Sequence, residues 1–100
     1  PGNMRAQMEG GIAFGLSAVL HNELTLDGGR VQQSNFHDAA MLRMSEMPDI
    51  EVLSLASDAP PTGIGEPGSV PIIAAVANAV ARLTGKPVRS LPIKLDALTA

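Results

Sequence analysis

Apolar residues Met8, Ile12, Leu16, Val19 and Leu20 recur at helical spacing. They predict a helix over residues 3–20 with one apolar stripe and Asn3 as its N-cap. A second stripe on that helix, Gly11, Gly15 and Ala18, is made of very small residues. Glycine inside a helix costs about 0.5–1 kcal/mol relative to alanine. Spacing by four puts both glycines on one face, which predicts the close approach of a neighbour. Two readings stay open: tight packing of the helix on a sheet, or a bound cofactor. Gln7 lies one turn before Gly11 and shares its face.

Further along, Glu23–Leu26 and Arg30–Gln33 flank Asp27-Gly28-Gly29, the composition of a tight hairpin. Residues 34–49 form a long irregular stretch with Met41, Met44, Met47 and Pro48. Loops of that length are usually functional or contact a neighbour, and the methionines read as adaptable core filling. Ile50 to Ala56 is the clearest strand. Ala59-Pro60-Pro61-Thr62 is a rigid connector. Gly63 to Gly68 is a loop, Ser69 an N-cap, and Pro71 falls in a first helical turn. Ile72, Val76, Val80 and Leu83 form the stripe of a second helix that runs to about Thr84, where Gly85 and Pro87 stop it. Val88–Ile93 is expected to be extended, with a turn at the last residues. The predicted fold class is α+β: two helices packed on a small, mostly antiparallel sheet.

Composition narrows the function. The chain has 100 residues, 45% hydrophobic and 17% charged, with a net charge of −3. That is globular composition, and its slight acidity argues against a nucleic-acid partner, whose footprint would be a basic patch. The longest apolar run, Val70 to Val80, is interrupted by Pro71 and Asn78 and falls short of the roughly 20 residues that span a bilayer. Residues 1–11 lack the basic start and apolar core of a secretory signal. Without cysteine, the chain offers no disulfide, thiolate metal ligand or thiol nucleophile. Aromatics are 2%, Phe14 and Phe36 alone, although aromatic rings supply much of the buried area in a small core. This sparse core, and a helical pattern that starts at once, predict a fragment of a larger domain over residues 1–100.

Gly63-Ile64-Gly65-Glu66-Pro67-Gly68 formally matches a dinucleotide-binding fingerprint. A true fingerprint begins where its strand ends, whereas residues 56–62 intervene here. A carboxylate at Glu66 would also repel a pyrophosphate, and too little chain follows for the remaining strands. Glu66 is the better chemical candidate. In a loop stiffened by prolines before an apolar helix, partial burial would raise its pKa and suit it to general-base work. His21 and His37 lack metal-ligand spacing and read as surface or hydrogen-bonding residues, so no metal ligand is assigned. No G-x-S-x-G elbow supports a serine hydrolase.

Three stretches together resemble one family. Gln7-Met8-Glu9-Gly10-Gly11-Ile12-Ala13-Phe14-Gly15-Leu16 resembles the Q-x-E-G-x-x-x-x-G-L helix of the molybdenum hydroxylases of the xanthine oxidase family. Asn35-Phe36-His37-Asp38 through Met47-Pro48-Asp49-Ile50-Glu51-Val52 resembles their loop and following strand. Gly63-Ile64-Gly65-Glu66-Pro67 resembles their G-x-G-E-P segment, followed by Pro71-Ile72, Ala77-Asn78-Ala79-Val80 and Arg89-Ser90-Leu91-Pro92. The ordered set covers nearly the whole chain and matches the C-terminal part of the large, molybdopterin-binding subunit. Within the family it is most similar to the isoquinoline 1-oxidoreductase and bacterial aldehyde dehydrogenase group.

The resemblance implies oxidation of an N-heterocycle or aldehyde with oxygen from water, with Glu66 as general base. It places Gln7, and less strongly Gly10 and Gly11, beside a molybdenum–molybdopterin cofactor, in its cytosine dinucleotide form. It implies as partners the rest of the large subunit and a small iron–sulfur subunit with 2Fe–2S clusters, which this cysteine-free chain could not ligate. The isolated fragment is expected to hold no cofactor and to be inactive. Gly68-Ser69-Val70 follow Glu66-Pro67 where purine-oxidising relatives have a second proline and bulky residues, so their substrate pocket does not carry over. Ala39 and Ala40 stand where relatives often have an aromatic. The compartment stays open between cytoplasm and periplasm or membrane surface. The rival expectation is a non-catalytic α+β domain whose glycine face and methionine loop bind a partner protein.

Overall fold

The computed structural model describes residues 2–94 and 96. Helix α1 spans Gly2–Leu20, a hairpin joins β1 (Leu26–Asp27) to β2 (Arg30–Val31), a 3-10 turn covers Met44–Glu46, and helix α2 spans Ser69–Thr84. Two helices with a two-stranded antiparallel sheet make the α+β class expected. The dominant contact between elements is α1 against α2.

Helix α1 includes Asn3 in its first turn, so Asn3 is not the N-cap. Its apolar stripe faces inward as the spacing predicts: Leu16 and Val19 are buried, and Met8, Ile12 and Leu20 are half-buried. In the hairpin, Gly28 and Gly29 both take positive φ, 56° and 80°, the conformation a two-residue turn requires and side chains disfavour. Leu26 pairs with Val31 and Asp27 with Arg30. The ladder is shorter than the four residues per strand expected. Beyond it the Gln33 side chain takes over, accepting from Thr25 N at 2.8 Å and donating to Thr25 Oγ1 at 2.9 Å.

The long loop is tied to α1 at two points. Leu42 N–H donates to the buried Ser17 hydroxyl at 2.9 Å. His21 Nε2 lies 2.6 Å from Glu46 Oε2.

Residues 50–56 depart from expectation: they form no strand. Their composition favours one, but a strand exists only by pairing, and among the described residues none pairs with this run. Leu53 and Leu55 are 83% and 94% exposed. Residues 88–93 form no strand either. The chain bends at 90–92, and Ile93 is buried with its N–H donated to Val19 O at 2.6 Å. The expected terminal turn lies mostly outside the described residues.

Helix α2 ends as predicted, on Gly85 in the left-handed conformation (φ 73°), whose N–H reaches Ala81 O at 2.9 Å. Its start is different. Ser69 is the first helical residue rather than the cap, which is Gly68. Leu83 also departs from the predicted stripe, being 87% exposed. The covered face runs through Ile72, Ile73, Val76, Ala77, Val80, Ala81 and Thr84, and Leu83 lies at its edge.

The chain exposes 7935 Å² of surface, against roughly 5,400 Å² for a compact monomer of this mass. Its radius of gyration is 16.2 Å, against about 13 Å for a compact domain of this length. Much of the excess is apolar: Phe36, Met44, Leu53, Leu55 and Leu83 are all more than four-fifths exposed. Among the described residues no helix is long and apolar enough to cross a membrane.

Candidate functional site

Glu66 is placed by the turn that starts α2. Its carbonyl oxygen accepts from Ser69 N–H at 2.9 Å and from the Ser69 hydroxyl at 3.0 Å. Pro67 occupies the turn position that its fixed φ favours, and Gly68 follows at φ −79°, ψ −29°. The Ser69 side chain therefore closes this turn instead of capping a helix amide. Glu66 lies just before the N-terminal, positive end of α2. It is exposed in this chain, so the partial burial expected for it is not provided by these residues.

The turn is seated on α1 through glycines. A Cβ on Gly68 would come within 2.9 Å of Met8 O and 3.3 Å of Ile12 N. A Cβ on Gly11 would lie 3.3 Å from both Gly68 Cα and Ser69 N, and one on Gly15 would lie 2.5 Å from Ser69 O and collide with Ile72. The small-residue face of α1 is thus a packing face. Its partner is the first turn of α2, not a sheet.

Gly10 is different. A Cβ there would meet nothing within 4 Å, and the same holds for Gly65. Both border an open cleft of about 550 Å³ formed by Gln7, Gly10, Gly11 and Phe14 of α1 with Gly65, Glu66, Ser69 and Val70. The residues that the resemblance assigns to the site, Gln7, Gly10, Gly11 and Glu66, all border this one cleft. Glu66 and Val70 also border a second, apolar cleft of about 520 Å³ with Gly63, Pro67 and Pro71. Phe14 and Val70 are the cleft residues that sequence reasoning passed over. Phe14 lies two turns beyond Gln7, so helical spacing alone would have placed it on that face.

The other polar clusters stand apart from this cleft. The Asp38 carboxylate accepts from Asn35 N and Ser34 N, both at 3.0 Å, and these bonds hold its pKa below the usual carboxylate range. Glu46 is likewise held low, first by the Arg43 N–H at 2.9 Å and then by His21. His21 is a hydrogen-bonding residue, as its sequence context suggests. Ser17, buried and bonded to Leu42 N–H, was not foreseen.

The donor set fits an organic cofactor better than a bare ion. Among the described residues no three His, Cys, Asp or Glu side chains gather to hold a metal. What the cleft offers is the bare backbone of Gly10 and Gly65, one carboxamide and one carboxylate. Such a surface would leave room for a bulky group, to which Gln7 and Glu66 would offer hydrogen bonds. The residues present therefore fit a molybdopterin-type cofactor.

No protein-family description matches the chain. Individual relatives do. It is 46% identical over 94 residues to isoquinoline 1-oxidoreductase subunit beta of Brevundimonas diminuta, covering 94% of this chain and 12% of that protein. It is 36% identical over 107 residues to the aldehyde oxidoreductase molybdenum-binding subunit of Escherichia coli, covering 98% of this chain and 14% of the relative. The xanthine dehydrogenase molybdenum-binding subunit of an Escherichia coli strain is 31% identical over 94 residues, 87% of this chain and 12% of its own length. Likeness along nearly the whole chain to subunits of one kind shows that the chain belongs to the xanthine oxidase family of molybdenum-binding oxidoreductase subunits, spanning 12% of the length of the isoquinoline-oxidising relative.

Proposed function

We propose that this chain supplies the general base and one cofactor-facing wall of a molybdenum hydroxylase that oxidises N-heterocycles or aldehydes with oxygen from water. The observation that carries the reading is the gathering of Gln7, Gly10, Gly11 and Glu66 on a single cleft. When bound, the molybdopterin cofactor, proposed in its cytosine dinucleotide form, supplies two-electron redox chemistry coupled to oxygen transfer. Gln7 presents an amide that both donates and accepts, suited to the edge of a pterin. Gly10 and Gly65 leave their backbone uncovered so that a large group fits closely.

Glu66 holds the role of base. Its carboxylate accepts a proton from the attacking oxygen as the bond to the substrate carbon forms, a task worth typically about 100-fold or more in rate. The bonds of the Glu66–Ser69 turn hold the backbone that carries that carboxylate. The rest of the large subunit would cover it and exclude water. Electrons would leave through 2Fe–2S clusters of a small partner subunit. A partner-binding domain without chemistry would also expose apolar surface, but it gives no reason for a carboxylate and a carboxamide to share a cleft with uncovered glycines.

The test is turnover of the full subunit, with its small partner, in oxygen-18 water on a panel of N-heterocycles and aldehydes. Product carrying the solvent label supports the reading. Product oxygen drawn from dioxygen would overturn it.

A further inference from the structure

We propose that Phe14 is a binding residue that stacks a planar N-heteroaromatic ring inside the cleft between α1 and the Glu66 turn. The inference deepens the molybdenum-hydroxylase reading and rests on it for the identity of the ring.

Phe14 is 65% exposed, although Leu16 and Val19 of the same helix are buried. The chain has two aromatic residues, and this one is spent on a cleft wall rather than on the core. Exposure alone would not single it out, since several leucines are equally bare. Its place does. Of the large exposed apolar side chains, Phe14 and Val70 are the two that border the cleft holding Gln7 and Glu66. The rest of the cleft is Gly10, Gly11, Gly65 and Ser69, small residues that leave room for a flat group. Aromatic rings prefer an offset or edge-on ring neighbour. Here Phe14 offers a ring surface while Gln7 and Glu66 offer hydrogen bonds to the same ligand's polar atoms. The chemistry fits a ring that is apolar on its faces and polar at its edge.

The space continues past Phe14. It also borders a smaller cleft of about 230 Å³ with Gly10, Ala13, Ser17, Met41 and Leu42. The Leu42 N–H to Ser17 bond fixes that side of the loop. Phe14 thus stands between the Glu66 cleft and the long loop, where either a pterin or a heteroaromatic substrate would pass its ring.

The experiment uses the full subunit isolated without cofactor, in three forms: wild type, Phe14→Leu and Phe14→Tyr. Free pterin and quinoline are titrated onto each by calorimetry. The proposal expects at least one of the two to bind, Phe14→Leu to weaken that binding about 2- to 10-fold, the scale of an aromatic pair, and Phe14→Tyr to retain it. Loss for pterin assigns Phe14 to the cofactor, and loss for quinoline alone assigns it to substrate. Failure of both rings to bind wild type, equal binding by Phe14→Leu, or loss in Phe14→Tyr as large as in Phe14→Leu overturns the proposal. Failure of the functional reading looks different: the oxygen-18 label is absent while ring binding still depends on Phe14.

Discussion

Gly11 and Gly68 meet backbone to backbone: a Cβ on Gly11 would stand 3.3 Å from the Cα of Gly68. This contact brings Glu66, two residues earlier, to the same cleft as Gln7, one turn away from Gly11 on α1. Gly68→Ala should therefore destabilise the full subunit by about 1–3 kcal/mol, because the new Cβ presses on the Met8 carbonyl, which is backbone and cannot swing aside. Gly15→Leu should cost at least as much. Thermal unfolding of both variants checks this, and wild-type midpoints would show that the face is open.

Gly10 should behave in the opposite sense. With nothing within 4 Å of its added Cβ, Gly10→Ala should stabilise helix α1 by about 0.5–1 kcal/mol. If the cofactor lies against that backbone, the same variant should load less molybdenum. A raised unfolding midpoint with a lowered metal content is the expected pair of results.

Ser17 anchors the long loop. Ser17→Ala removes the acceptor for Leu42 N–H and leaves a partly buried donor unpaired, at a cost of about 1–3 kcal/mol. Hydrogen exchange at the Leu42 amide should accelerate while the amides of α2 keep their rates.

A second anchor is sensitive to acid. The Arg43 N–H and His21 hold the pKa of Glu46 below the ordinary carboxylate value of 4.5. A depressed carboxylate stabilises the folded form fully above its unfolded pKa and loses that contribution as pH falls through its folded pKa. Protection of Arg43 N–H, its exchange measured against the intrinsic rate at the same pH, should thus be constant near neutrality and fall below pH 4.5. Glu46→Gln should remove that dependence.

Both helices were legible because their spacing, with Gly85 and Pro87 at the end of the second, is a local signal. The hairpin turn was legible because Gly28-Gly29 suits one backbone geometry. The run 50–56 was misread because strand formation depends on a partner, and Leu83 because a stripe does not say how far its neighbour extends. At the site, Glu66 was singled out by its proline-stiffened loop as well as by resemblance, and Gln7 by sharing the face of Gly11 as well as by resemblance; both border one cleft. That Gly68 is a seat for the turn depends on α1 meeting α2, a tertiary contact that no local pattern encodes; helical spacing puts Phe14 on the face of Gln7, but that this face meets the Glu66 turn rests on the same contact.

The central claim is that Glu66 is the base, and Glu66→Gln tests it most directly, since it keeps the shape and removes the basicity. Molybdenum content and kcat are measured on one preparation of the full subunit with its small partner. The account predicts wild-type molybdenum with kcat lowered about 100-fold or more. Full molybdenum with near-normal kcat would contradict it.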